Sequence, residues 1–179
     1  MKTSNIRNYK VCSNQSYFFD TNIWMFLFAP IAGTNQYKQK QYSRLFNDIL
    51  TCRSTIFISS LVIAEYVNAV LRLGFFQWKR ENCYPGVEVD YKRDYRPTDA
   101  YLDSLQEVKI QVKEIMKVAR NFPDDFNTID VDSLFSLMDG KCDFCDAYIE
   151  DLCCKHELRL VTDDRDIASA EHQFTVITI

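Results

Sequence analysis

Six carboxylates stand where a fold could gather them. Asp20 closes the apolar run Ser16-Tyr-Phe-Phe-Asp20, and Glu65 lies in the first two turns of a helix following Ser54-Thr-Ile-Phe-Ile58. Asp163 and Asp164 directly follow Leu158-Arg-Leu-Val161. Asp143 and Asp146 fall in the opening turns of a helix expected from about Cys142 to His156, where the macrodipole favours negative charge. At the helical period Asp139, Asp143, Asp146 and Glu150 form one acidic stripe, flanking an apolar stripe of Cys142, Cys145, Ile149, Leu152, Cys153 and His156. Acids gathered in one crevice repel one another, and without compensation some stay protonated. A hard divalent cation relieves that conflict, and oxygen-only ligands suit magnesium or manganese. Such an ion acidifies bound water and stabilises in-line displacement at a phosphodiester. The chemistry implied is metal-dependent hydrolysis without a His or Ser nucleophile.

The acids can meet only if strands deliver them. Ser16–Asp20, Ser54–Ile58, Leu158–Val161 and Phe174–Ile179 are short apolar runs that read as buried strands. Residues 1–15 read as a polar tail or an edge segment. Helices are expected over Ile23–Phe28, ending near Pro30, and over 37–50, where Tyr42, Leu45, Phe46, Ile49 and Leu50 share a face. A third starts after Ser59 or Ser60 and runs toward Gly74. A long one is capped by Thr98 or Asp99, with the stripe Tyr101, Leu105, Val108, Val112, Ile115 and Ala119. A short one covers 131–138, before Asp139-Gly140. Strands alternating with helices predict an α/β fold: a three-layer α/β/α sandwich on a central, mostly parallel sheet. In such sheets the ligand crevice lies beyond the carboxyl ends of the strands, where the acids stand.

The chain of 179 residues, 47% apolar and 14% aromatic, is read as a single domain over 1–179 with an insertion at 74–97. Seven cysteines make an odd set for a disulfide scaffold, and no signal-peptide pattern or transmembrane run is evident. The expectation is a cytoplasmic protein with reduced thiols and no membrane association. Cys142, Cys145, Cys153 and His156 share a helical face rather than paired turns, so they read as buried thiols and not as a zinc site. The net charge of -4 conceals an asymmetry. Residues 1–120 hold 17 Lys and Arg against 11 acids, and residues 121–179 hold 4 against 14. A nucleic-acid partner is therefore compatible with the charge.

Four blocks in order carry a resemblance: Phe18-Phe-Asp20-Thr-Asn-Ile23, Ile58-Ser-Ser-Leu-Val-Ile-Ala-Glu65, Asp143-Phe-Cys-Asp146-Ala-Tyr-Ile149 and Leu160-Val-Thr-Asp-Asp-Arg-Asp166. Together they resemble the PIN-domain family of ribonucleases. The resemblance implies a magnesium- or manganese-dependent endoribonuclease, a hydrolase acting on single-stranded RNA. By position Asp20, Glu65, Asp146 and Asp164 match the family's catalytic, metal-binding acids. Asp143 is a candidate extra ligand. Asp163 competes with Asp164, and the Val-Thr-x-Asp spacing favours the latter. Thr21, Asn22 and Thr162 match supporting positions. Many small bacterial members are toxins silenced by an antitoxin, so a cognate antitoxin and a homodimer enter as partners to test.

The 74–97 segment interleaves aromatics with Lys79, Arg80, Lys92, Arg93 and Arg96. Such a pattern can stack bases and follow phosphates, or can be a packed lid with solvated charges. Two other functions compete with the ribonuclease. A phosphatase using Asp20 as nucleophile would need a second acid where Asn22 stands. A catalytically silent PIN-like module, binding nucleic acid or protein, would not need the acids at all.

Overall fold

The computed structural model describes residues 3–29, 35–138 and 142–179. Its strands are β1 (Thr3–Asn5), β2 (Ser16–Phe19), β3 (Thr55–Ile58), β4 (Arg120–Asn121), β5 (Arg159–Val161) and β6 (Val176–Thr178). They form one sheet in the order β1-β6-β5-β2-β3-β4, and every pairing is parallel. The helices are α1 (Thr21–Phe28), α2 (Gln36–Thr51), α3 (Ser60–Asn82), α4 (Asp99–Val118), α5 (Val131–Leu137), α6 (Phe144–Lys155) and α7 (Arg165–Ser169). A single π turn, Tyr91–Tyr95, precedes α4, and a 3-10 turn, Phe126–Thr128, follows β4. The expected three-layer α/β/α fold is present, its sheet parallel throughout.

β2 is the centre of the core. Tyr17, Phe18 and Phe19 are completely buried, and Trp24 of α1 reaches back to donate its indole N–H to the Phe19 carbonyl at 3.1 Å. Buried strands need no polar face, which is why these runs are continuously apolar.

Several elements differ from the sequence expectation, each for a local reason. Of the two readings for residues 1–15, Thr3–Asn5 takes the edge segment, while Arg120–Asn121 adds an unexpected strand at the opposite edge. Both are too short and polar to show alternation. Asp20 is the N-cap of α1, which therefore starts at Thr21 and not at Ile23. α3 runs past Gly74 to Asn82, so the first part of the expected insertion is helix. Gly74 is tolerated there because a Cβ would stand 2.5 Å from Ser104 Oγ and 2.7 Å from Tyr95 Oη, so α3 approaches α4 through the missing side chain. On α4, Leu105 is exposed while Gln111 is buried and accepts from Tyr66 Oη at 2.7 Å. Val108, Ile115 and Ala119 keep the expected face, and Gln111 joins it because its buried amide has a partner. His156 does not join the apolar stripe of α6: it is exposed and its ring pairs with Asp125. Pro30, Asp139 and Gly140 lie outside the described residues.

Candidate active site

The chain steps from β2 outward to β3 and β4, then returns to β5 on the other side of β2 and continues to β6. The connections leaving β2 and β5 therefore diverge, and in parallel sheets such a switch point is where a ligand crevice forms, beyond the carboxyl ends. Asp20 occupies it from β2 and Asp164 from β5.

Asp20 is 8% exposed and heavily hydrogen-bonded. Its Oδ1 accepts from the Thr21 backbone N–H at 2.6 Å. Its Oδ2 accepts from Thr162 Oγ1 at 2.6 Å and from Asn22 Nδ2 at 2.5 Å. Thr162 is fully buried and its oxygen also accepts the Asp164 backbone N–H at 3.0 Å, so one hydroxyl fixes both strand ends. Asn22 uses its other end to accept the Asp163 N–H at 3.0 Å. Thr21 Oγ1 donates to Glu65 Oε2 at 2.7 Å, which ties the first turn of α1 to α3. Thr21, Asn22 and Thr162 thus all contact expected acids or their backbone.

From the third side Asp143 caps α6, and its carboxylate accepts the Asp146 N–H at 3.0 Å while Asp146 accepts the Asp143 N–H at 3.2 Å. This reciprocal box fixes Asp146 at the helix start. Burial pushes Asp20 from 3.8 up to about 6, against the lowering hydrogen bonds from Thr162 and Thr21, and the charges of Glu65 and Asp146 push the same way. Burial also lifts Asp146 to about 6, with the charges of Asp143, Asp164 and Glu65 adding to it and the Asp143 N–H opposing. Asp20, Glu65, Asp143, Asp146 and Asp164 are therefore one electrostatic set.

Asp163 is employed differently. Its Oδ2 is 2.6 Å from Lys38 Nζ and its Oδ1 accepts from Tyr42 Oη at 3.0 Å. Lys38 and Tyr42 were not foreseen, since nothing in local spacing links α2 to a residue about 120 positions away.

Among the described residues no three Asp, Glu, His or Cys side chains stand close enough together to hold a metal ion as they are placed. The donor chemistry nonetheless suits a hard cation. The donors are carboxylate oxygens, two of them held above their usual range by burial and like charge, a penalty that a divalent ion offsets. Asp20, Glu65, Asp146 and Asp164, with Asp143 beside them, are the residues that could hold it.

Other expected features lie apart. Glu150 does not face the crevice: its Oε2 is 3.2 Å from Nδ1 of the buried His172. Cys153 is buried, Cys142 and Cys145 are half-buried, Cys154 is exposed, and no disulfide forms. In the 74–97 segment Phe75, Trp78, Tyr91 and Tyr95 pack on one another, joined by Tyr101. Their faces are spent on the protein. Arg93 pairs with Asp94, and Arg96 lies over the Tyr91 ring at 5.4 Å. Lys79 and Arg80 are in the last turn of α3, roughly 21 Å along the axis from Glu65 at 1.5 Å per residue. Lys92 sits in the π turn.

The sequence profile of the PIN domain matches residues 17–173. No curated protein matches the chain. Among solved structures, the crystal structure of VapBC2 from Rickettsia felis bound to a DNA fragment from their promoter is similar. It has a TM-score of 0.46 and 14% sequence identity, with 92% of this chain and 98% of that chain covered.

Proposed function

The chain belongs to the PIN-domain family, and on that premise we propose that it is a magnesium- or manganese-dependent endoribonuclease. The observation that supports this reading is the linkage of the acids: Thr162 joins Asp20 to the Asp164 backbone, Thr21 joins α1 to Glu65, and the charge of Asp146 acts on Asp20. These four are the proposed metal ligands, with Asp143 as an auxiliary acid and Asp163 as a structural one. A bound ion would neutralise phosphate charge and acidify the attacking water. The protein's own residues orient the oxygens: Thr162 and Asn22 fix Asp20, Thr21 fixes Glu65, and the α6 capping box fixes Asp146. Such supporting hydrogen bonds set ligand direction and basicity.

The phosphatase alternative loses ground at Asn22, whose amide is occupied by Asp20 and by the backbone of Asp163. No described helix is long and apolar enough to cross a membrane. The same reading extends to a toxin role with RNA as substrate and an antitoxin protein and a second copy of this chain as partners.

The deciding experiment is RNA cleavage by purified protein with manganese. Wild type should cleave single-stranded RNA, while Asp20→Asn and Asp146→Asn should each lose more than about a hundredfold, because even supporting residues cost 10–100-fold. Retained activity in both variants would sink the assignment. Manganese titration separates a silent module, which would show no thermal shift. Growth arrest on expression, relieved by a neighbouring gene product, tests the toxin role.

A further inference from the structure

The acid crevice presents a difficulty for its own substrate, because a polyanion approaching five carboxylates is repelled until a cation meets it. Beside Glu65 a groove of about 420 Å³ runs along α3. Leu61, Ala64, Glu65, Asn68, Ala69 and Arg72 of α3 line it together with Cys145, so Glu65 and Arg72 share one groove with Asn68 between them along the helix. Glu65, Asn68, Ala69 and Arg72 recur at steps of three and four, so they share one face of the helix. Seven residues of helix place Arg72 roughly 10 Å beyond Glu65.

Arg72 is exposed and, among the described residues, has no ion-pair partner. The contrast with other cations is informative. Lys38 is spent on Asp163, Arg93 on Asp94, and Arg96 on the Tyr91 ring. Lys79 and Arg80 are two turns further from the acids. The groove thus joins a candidate catalytic acid to an uncommitted guanidinium through a short polar and small-residue floor.

We propose that this groove is a subsite for the RNA strand next to the scissile linkage, with Arg72 taking a backbone phosphate and Asn68 hydrogen-bonding the adjoining nucleotide. The guanidinium fork matches phosphate geometry, and the shallow apolar wall admits a base or ribose. The inference rests on the ribonuclease reading for its substrate, yet its binding arm can be measured without catalysis.

The test uses a fluorescein-labelled single-stranded RNA oligonucleotide, in cleavage assays with manganese and in anisotropy titrations on the Asp20→Asn background. Arg72→Ala should raise KM about tenfold, the scale of one charged hydrogen bond, with kcat nearly unchanged. It should also flatten the slope of log affinity against log salt by about 0.7, the single-strand value for one phosphate contact. Arg72→Lys should keep the salt slope while recovering only part of the affinity, because the charge remains and the fork does not. Thermal unfolding should be unchanged in both, and the exposed Lys109→Ala should leave KM and slope as in wild type. If wild type cleaves and Arg72→Ala leaves KM and salt slope unaltered, the subsite is overturned while the nuclease reading stands. If wild type does not cleave but anisotropy still shows Arg72-dependent binding, the nuclease reading falls while the groove's contact with the RNA backbone through Arg72 stands. Binding without Arg72 dependence overturns the subsite in either case.

Discussion

Thr162 donates its hydroxyl hydrogen to Oδ2 of Asp20 at 2.6 Å across 142 positions of sequence. The same oxygen accepts from Asn22 Nδ2 at 3.3 Å and from the Asp164 N–H at 3.0 Å, so it serves three partners while fully buried. Thr162→Val keeps shape and removes all three. It should lower manganese affinity or activity 10–100-fold and cost about 1–3 kcal/mol of stability from the orphaned groups. Thr162→Ser should restore most of both. Metal titration by calorimetry, with denaturant unfolding alongside, reads the two effects. A Val variant with wild-type metal affinity would contradict the role given to this hydroxyl.

The doubled acid of β5 divides into two tasks that mutation can separate. Asp163 is held by Lys38 and Tyr42, whereas Asp164 caps α7 and adds its charge to that of Asp146. Asp163→Ala should cost about 2 kcal/mol, the scale of a charged hydrogen bond, and retain measurable cleavage. Asp164→Ala should cost only about 1 kcal/mol as a lost cap yet abolish cleavage. The reverse pattern would exchange the assignments.

Protonation gives a signed prediction. Asp20 and Asp146 are held near 6 against 3.8, so between about pH 4 and pH 6 the folded chain keeps protons that the unfolded chain releases. Their contribution to stability therefore falls as pH rises through that window and levels above it. For buried Asp20 the effect is about 3 kcal/mol, and for half-exposed Asp146 it is smaller through solvent screening. The metal-free Asp20→Asn variant should gain on wild type in urea midpoint as pH goes from 4 to 7. Manganese should raise the wild-type melting temperature more at pH 7 than at pH 4.5. An Asn variant with the wild-type pH trend would show that burial of Asp20 carries no such cost.

Much of this site was legible because its parts are local. Asp20 after Phe18-Phe19 and Asp164 after Leu160-Val161 are strand-end signals, and Asp143 with Asp146 is a helix-start signal. What escaped is what needs three dimensions. Lys38 and Tyr42 reach Asp163 only because α2 packs beside the end of β5. Glu150 leaves the acidic stripe because His172, 22 positions later, supplies a buried partner. Edge strands as short as Arg120–Asn121 have no periodicity to read.

The passage of α3 through Gly74 is also testable. Gly74→Ala should gain up to about 1 kcal/mol in helix propensity but lose more to overpacking, because the Cβ meets Ser104 Oγ at 2.5 Å and Tyr95 Oη at 2.7 Å. Ser104 and Tyr95 are hydrogen-bonded to each other at 2.8 Å and cannot both swing away without breaking that bond. A net loss of about 1–2 kcal/mol is expected in urea unfolding, with cleavage unaffected. A stabilised variant would show that the contact yields.

The position of β2 between β3 and β5 has a temporal consequence. Its β3 neighbour is made soon after it, but its β5 neighbour, and Asp164 with it, arrives only after most of the chain has been synthesised. Pairings of such high contact order form late, after loop-closure entropy has been met. Before that moment Asp20 has Glu65 and Asp146 ahead of β5 in the chain, but neither Thr162 to orient it nor Asp164 beside it. On the proposed reading, the four-acid crevice is complete only in the finished sheet, and a growing or partly folded chain should not cleave RNA until its last central strand docks.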